Sequence, residues 1–273
     1  MAIDPTAIVS SKAQIDPTVE IGPYAIIEDE VTIGPGCRIG PHAVIRQYTR
    51  MGRGNVVHSG AVLGDLPQDR SFKPCRSYVE IGDNNVFREH CTVHRGTGPE
   101  TVTRIGNDCF LMASAHVAHN CRIGDSVNIA NGALVAGHVE VGDRAFISGC
   151  VLCHQFVRIG RLVMAGGGAR VTTDIPPFMM VLHETDVISI NLVGLRRAGV
   201  GADQIAEVRG AYRLLYRSGL PFRKALEKLA AGPVGPLVRE IIDFAAAPSK
   251  RGMAGPPHGA VRAGKADQVQ AGE

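Results

Sequence analysis

Ile105-Gly106-Asn107-Asp108-Cys109-Phe110-Leu111-Met112-Ala113-Ser114-Ala115-His116-Val117-Ala118-His119-Asn120-Cys121-Arg122-Ile123 sets the frame of this chain. A large aliphatic residue returns every sixth position, at Ile105, Leu111, Val117 and Ile123. A smaller one precedes each by two, at Cys109, Ala115 and Cys121. The count runs on to Val171, where only Cys153 and Ala165 are not Ile, Leu or Val. It also runs upstream, from Ile3 through Val9, Ile15, Ile21, Ile27, Ile33, Ile39, Ile45, Met51 and Val57 to Leu63, and again through Ile81, Phe87 and Val93. A period of six matches neither the 3.6 of an amphipathic helix nor the 2 of a plain strand. It matches a solenoid of short strands and turns, each turn sending one large and one small side chain inward. The chain therefore reads as mainly β, a hexapeptide-repeat parallel β-helix with three hexads per triangular coil over residues 1–175.

Two insertions interrupt the count, Gly64 to Ser77 and Gly96 to Thr103; such loops on a solenoid land on one face and often carry function. Regular structure is expected to stop near Thr172-Thr173-Asp174, before Ile175-Pro176-Pro177. A C-terminal α-helical domain over 191–247 follows from helical spacing: Ile205, Val208, Tyr212 and Leu215, then Phe222, Leu226 and Leu229, then Leu237, Ile241 and Phe244. Gly219-Leu220-Pro221 and Gly232-Pro233 separate the three. Residues 248–273, without periodicity, read as a disordered tail.

Among the 273 residues the formal net charge is only +3, so no nucleic-acid-binding surface is implied. No apolar run is long enough for a bilayer span, and the repeat starting at Ile3 leaves no signal peptide to expect. Four of the seven cysteines, Cys37, Cys91, Cys109 and Cys121, take the small inward site and Cys153 the large one, as buried hydrophobes. Cys150 and Cys153, facing out and in, do not make a redox turn. Reduced thiols and a cytoplasmic location follow.

The register also gives each side chain a direction. With the anchor as zero, positions zero and four point inward. His119 stands at two, His138 at three, His154 at one, and His116 one before an anchor, so all four point outward. Residues 18 apart stack about 5 Å apart. His119 then lies below Gly137 and Gln155, Asn120 below His138 and Phe156, and Ala118 below Ala136 and His154. Three histidines with Asn120 and Gln155 share one edge, where Ala136 and Gly137 clear space for a cleft. An imidazole there can take a proton from a hydroxyl or amine, oriented through its other nitrogen by Asn120 or His138. No G-x-S-x-G serine or credible cysteine nucleophile is present, which points to direct transfer. There is no Walker-type phosphate loop. A zinc site of three histidines, as in a β-helix hydratase of the carbonic anhydrase kind, is the rival.

Further segments carry a resemblance: Pro67-Gln68-Asp69, Thr92-Val93-His94-Arg95-Gly96-Thr97, Ala136-Gly137-His138-Val139, His154-Gln155-Phe156, Asp174-Ile175-Pro176-Pro177 and Ala211-Tyr212-Arg213-Leu214-Leu215-Tyr216-Arg217-Ser218-Gly219. Over about 1–245 the chain resembles the acyl-carrier-protein-dependent UDP-N-acetylglucosamine O-acyltransferases that start lipid A synthesis. The resemblance implies left-handed coiling, a homotrimer with sites between subunits, and acyl carrier protein and a UDP-sugar as partners. No cofactor is expected, and no metal, because no carboxylate or thiolate points outward beside the histidines. It makes His119 the general base on the sugar 3-hydroxyl. Asp69, His116, His138, His154, Gln155 and the Gly149 backbone would line the substrate pocket. Asn191 and Arg197 would contact substrate from the helical segment, and Gly167 would measure the acyl tail. Departures fall at Ser71, where the family has Lys (Lys73 lies two residues on), at Val193 for Glu, at Ala198 for Arg and at Asn120 for Asp. They bear on the acceptor, oxygen or amine, more than on the reaction class. An acidic carrier would meet the arginines dense late in the chain: Arg158, Arg161, Arg170, Arg196, Arg197, Arg209, Arg213 and Arg217.

Overall fold

The computed structural model describes residues 2–256. Among them, three sheets form the faces of a triangular prism, with 11, 9 and 8 strands. Face one runs from Ala2–Ile3 to Asp186–Ile190, face two from Ile8–Val9 to Arg170–Val171, and face three from Gln14–Ile15 to Arg158–Ile159. Most strands are two residues long, because each hexad has only that many extended residues between turns. Pairing is parallel and steps by one coil: Glu20 pairs with Arg38, and His116 with Leu134 and then Leu152. The three faces and the one-coil step make a left-handed parallel β-helix.

The inward sites are filled as their sizes demand. Ile27, Ile33, Ile45, Leu111, Ile129 and Ile147 are fully buried at the large site, and Ala25, Val31, Ala43, Ala115 and Ala133 at the small one. Cys37, Cys91, Cys109, Cys121 and Cys153 are buried and free, whereas Cys150 is exposed. Burial raises the thiols of Cys121 and Cys153 to about 12, so both are inert packing groups. The repeat also buries amides. Asn55 Nδ2 donates to Gly52 O and Gly82 O (3.0 and 2.9 Å), and its Oδ1 accepts from Asn85 N at 2.9 Å. Asn85 Oδ1 in turn accepts from Cys109 N at 2.8 Å. Because each polar atom is paired, these buried side chains tie coils together at small cost.

The solenoid outlasts its expected end at 175. Ile175 still bridges Ile159, and Met179–Leu182 adds another parallel strand beside Met164–Ala165. The two prolines occupy a corner, where no ladder hydrogen bond is lost. Asp186–Ile190 then folds back antiparallel on Met179–Leu182, a hairpin the hexad count could not show. Four helices follow: α1 Leu192–Arg197, α2 Ala202–Arg217, α3 Phe222–Ala230 and α4 Pro236–Ala246. Gly219, at φ 75°, lies just beyond α2, as the sequence requires of a stop. Ile205, Val208, Tyr212 and Leu215 are buried along α2, which packs on the hairpin, α3 and α4.

The expectation of disorder from 248 onward needs correction. Residues 248–256 are ordered: Asp174 N donates to Gly252 O, and Ala254 N to Asp174 O, both at 2.8 Å. Ala254 is buried. Its apolar side chain and these backbone bonds hold the segment without any periodicity. The rest of that expectation, 257–273, lies outside the described residues.

Candidate active site

Both insertions leave from face two and rejoin at face three, between Val62–Asp65 and Tyr78–Ile81 and between Thr92–His94 and Val102–Ile105. Further up the same corner, turns of the plain hexad kind present His119 and Asn120, then Gly137 and His138, then Gln155 and Phe156. Asn120, His138 and Phe156 all sit at left-handed φ (59°, 60° and 67°), the conformation that rounds this corner. Successive turns are joined by His138 N donating to His119 O (3.0 Å) and Phe156 N to Gly137 O (3.1 Å).

His119 points away from the prism yet is only 6 % exposed. Its ring stands against the glycine one coil on: a Cβ at Gly137 would stand 2.3 Å from His119 Cε1. His119 Nδ1 is 3.0 Å from Asn120 Oδ1. That oxygen also accepts from Thr97 N at 3.1 Å and Thr97 Oγ1 at 2.9 Å. A backbone N–H can only donate, so this atom of Asn120 is the carbonyl oxygen and not the amide nitrogen. His119 Nδ1 must then carry the proton, which leaves the Nε2 lone pair free.

Neighbouring imidazoles are kept neutral. His138 meets His119 edge to face at 5.2 Å, and burial, then the positive potential of His119 and Lys250, push its pKa below the ordinary value against the pull of Asp69. His116 Nδ1 bonds Thr92 Oγ1 at 2.7 Å. Burial first, then His94 and His119, bring its pKa down to about 4. Asp69, on the first insertion, accepts from both N (2.8 Å) and Oγ (2.7 Å) of Ser71 on one oxygen. These two bonds hold its carboxyl below the usual range, with smaller contributions from His119 and His138. Ser71 thus shapes the loop that presents Asp69.

The other expected residues lie apart. His154 and Gln155 share the corner one coil on, exposed, with His154 Nδ1 against Gln155 O at 3.2 Å. Gly149 and Gly167 stack on the corner between faces one and two, joined where Gly168 N donates to Gly149 O at 2.9 Å. Asn191 is at the third corner, where its side chain accepts from Gly194 N and donates to Leu162 O, both at 2.9 Å. Its carboxamide caps α1 and is already engaged. Arg197, in the last turn of α1, is exposed.

Three participants escaped the sequence reading. His94, 5 % exposed, packs edge-on against His116 at 4.8 Å, and its Nδ1 has no partner among the described residues. It stands one past anchor Val93, as His154 does past Cys153, but the second insertion breaks the 18-residue spacing that reveals the column. Thr97 lies within that insertion, where no register applies. Lys250 falls in the segment expected to be disordered.

Among the described residues, no group of three His, Cys, Asp or Glu side chains is placed to hold a metal ion. The histidines are instead bonded to Asn120, Thr92 and the Gln155 carbonyl. The corner holds an imidazole with one free nitrogen beside the glycine floor of Gly137, an arrangement able to accept a proton. None of the helices is long and apolar enough to cross a membrane, among the described residues.

Known proteins resemble this chain over most of its length. The family profile described as "Udp N-acetylglucosamine O-acyltransferase; Domain 2" matches residues 174–254, and the bacterial transferase hexapeptide profile matches 12–47 and 103–137. The chain is 53 % identical over 235 residues, 84 % of its length and 90 % of the relative's, to the acyl-[acyl-carrier-protein]–UDP-N-acetylglucosamine O-acyltransferase of Paracidovorax citrulli. It is 46 % identical over 249 residues, 89 % of its length and 95 % of the relative's, to the enzyme of the same name from Paraburkholderia phymatum. The solved UDP-N-acetylglucosamine acyltransferase of Francisella novicida superposes with a TM-score of 0.90 at 34 % identity, over 93 % of this chain and 94 % of that one. These relations decide for acyl transfer over the zinc hydratase. The chain is an acyltransferase and belongs to the acyl-carrier-protein-dependent UDP-N-acetylglucosamine O-acyltransferase family.

Proposed function

We propose that this protein moves an acyl chain, of the 3-hydroxyacyl kind, from acyl carrier protein to the 3-hydroxyl of UDP-N-acetylglucosamine or a closely related UDP-sugar, the first step of lipid A synthesis. His119 Nε2 removes the hydroxyl proton as the oxygen attacks the thioester carbonyl. The tetrahedral adduct then collapses, the C–S bond breaks, and the proton on His119 passes to the departing carrier thiolate. Asn120 stabilises the imidazolium by accepting from Nδ1 throughout. The observation that carries this reading is the pinned tautomer of His119, held over Gly137 with Nε2 free.

The chain works as a homotrimer in the cytoplasm. A single copy spreads the expected substrate residues over three corners: His119, His138 and Asp69 on one, Gly149 and Gly167 on the second, Asn191 and Arg197 on the third. A neighbouring copy against face two would bring different corners to one substrate. Face two offers it an apolar strip, since Leu134 and Leu152 stack in register after His116 and are 44 % and 45 % exposed. The test is acyl-carrier-protein thioesters with UDP-N-acetylglucosamine, read by product mass. Ester formation by the wild type and a loss of about 10²–10⁴ in His119→Ala are expected. Absence of product, or near wild-type turnover in the variant, removes the reading.

A further inference from the structure

The ordered C-terminal segment returns to the histidine corner, and Asp174 clasps it there. Asp174 is fully buried, and its carboxylate accepts from Arg158 N at 2.8 Å and Arg158 Nε at 2.7 Å. Its backbone takes the two bonds to Gly252 and Ala254, while Arg251 Nε donates to Thr172 O at 3.0 Å. These contacts fix the chain on the C-terminal side of Lys250. The Lys250 ammonium stands 4.2 Å from the centre of the Phe156 ring. Phe156 stacks on His138 at 4.6 Å and 18°, and His138 meets His119. Base, imidazole, phenyl and ammonium thus form a file up one corner. The three successive contacts put the cation beyond the second coil above the base, at most about 14 Å from it along the file. Lys250 is exposed, and no carboxylate among the described residues pairs with it.

We propose that Lys250 is a specificity-determining residue of the transfer site, binding a phosphoryl group of the acceptor's diphosphate. The inference rests on the proposed reaction, in which both substrates carry phosphate. In a nucleotide sugar the diphosphate begins one sugar ring from the 3-hydroxyl that His119 deprotonates. In a phosphopantetheine thioester the phosphodiester is a full extended arm from the reacting carbonyl. The spacing of the file matches the nearer source. The Phe156 face holds the ammonium in place through a cation–π contact and leaves its N–H donors to the ligand.

The test compares wild type, Lys250→Gln and Lys250→Arg. Loss of one charge-assisted contact should raise the KM for the UDP-sugar about tenfold in K250Q, with a smaller effect on kcat and none on the KM for the carrier-bound donor. K250R should restore most of the loss. An unchanged UDP-sugar KM, or a rise confined to the donor, overturns the proposal. Calorimetric titration with UDP separates this from failure of the reaction itself. If the wild type makes no ester yet K250Q binds UDP about tenfold more weakly, the residue's role survives and the reaction does not. Equal UDP affinity in both proteins refutes the phosphate contact whatever the activity.

Discussion

His119 and Asn120 are sequence neighbours whose side chains meet at 3.0 Å, through an Asn120 oxygen already held by two donors from Thr97. The contact is possible because Asn120 takes a left-handed φ of 59° at the corner. Its side chain therefore lies beside the imidazole and does not follow the next strand. The second insertion thus reaches the base through one shared acceptor.

Asn120→Leu removes that acceptor, frees the tautomer and orphans the Thr97 N–H. Turnover should fall by about 10²-fold, the scale of a misaligned catalytic group. Asn120→Asp keeps an acceptor for all three donors and adds a charge that favours the imidazolium. It should stay active while the acidic limb of its rate–pH profile moves to higher pH. A profile that does not move would show that Asn120 and His119 are not coupled in solution.

Gly137→Ala introduces a methyl into the ring of His119, since the new Cβ would stand 2.3 Å from Cε1. The backbone there is part of a coil and cannot retreat, so the imidazole must swing off its seat. We expect a fall in kcat of at least about tenfold with circular dichroism unchanged. Full activity would place the base elsewhere.

His116 links stability to pH. Its pKa falls from the ordinary 6.5 to about 4 on folding, through burial, then His94 and His119. Between those values the unfolded chain binds the proton and the folded chain does not. Stability from this group is complete above pH 6.5 and lost as pH falls towards 4. The ring keeps some exposure, so the loss should be on the order of 1–3 kcal/mol. His94 and His138 are shifted the same way and add to it. Denaturant titrations of wild type and His116→Gln across this range should show a shallower decline in the variant; parallel curves would contradict the assignment.

Carrier docking depends on which arginines are free. Arg158 pairs with Asp174 at 2.7 Å, Arg161 with Glu240 at 2.8 Å and Arg170 with Glu184 at 3.7 Å. Arg217 donates to Tyr212 Oη at 2.9 Å, and that hydroxyl donates to Ile188 O. Arg209 and Arg213 lie exposed along α2. Arg209→Glu with Arg213→Glu should raise the KM for the carrier-bound donor, most strongly at low salt, and leave that for the nucleotide sugar nearly constant. A donor KM indifferent to the reversal would exclude α2 as the docking surface.

The hexad repeat determined the solenoid, the inward and outward faces and the column of Asn120, His138 and Phe156 by itself. In a β-helix, position in the repeat is position in space, so counting replaces folding. That logic fails wherever the register breaks. Thr97 and Asp69 sit on insertions, His94 behind one of them, and the Met179–Leu182 hairpin beyond two prolines. Lys250 and Ala254 belong to a segment without period, ordered only because Asp174 presents its backbone and Arg158 holds Asp174 in place. Those placements come from contacts between residues far apart in the chain, whose energies no local pattern records. Only the tertiary structure could decide them, and with them which nitrogen of His119 is free to act.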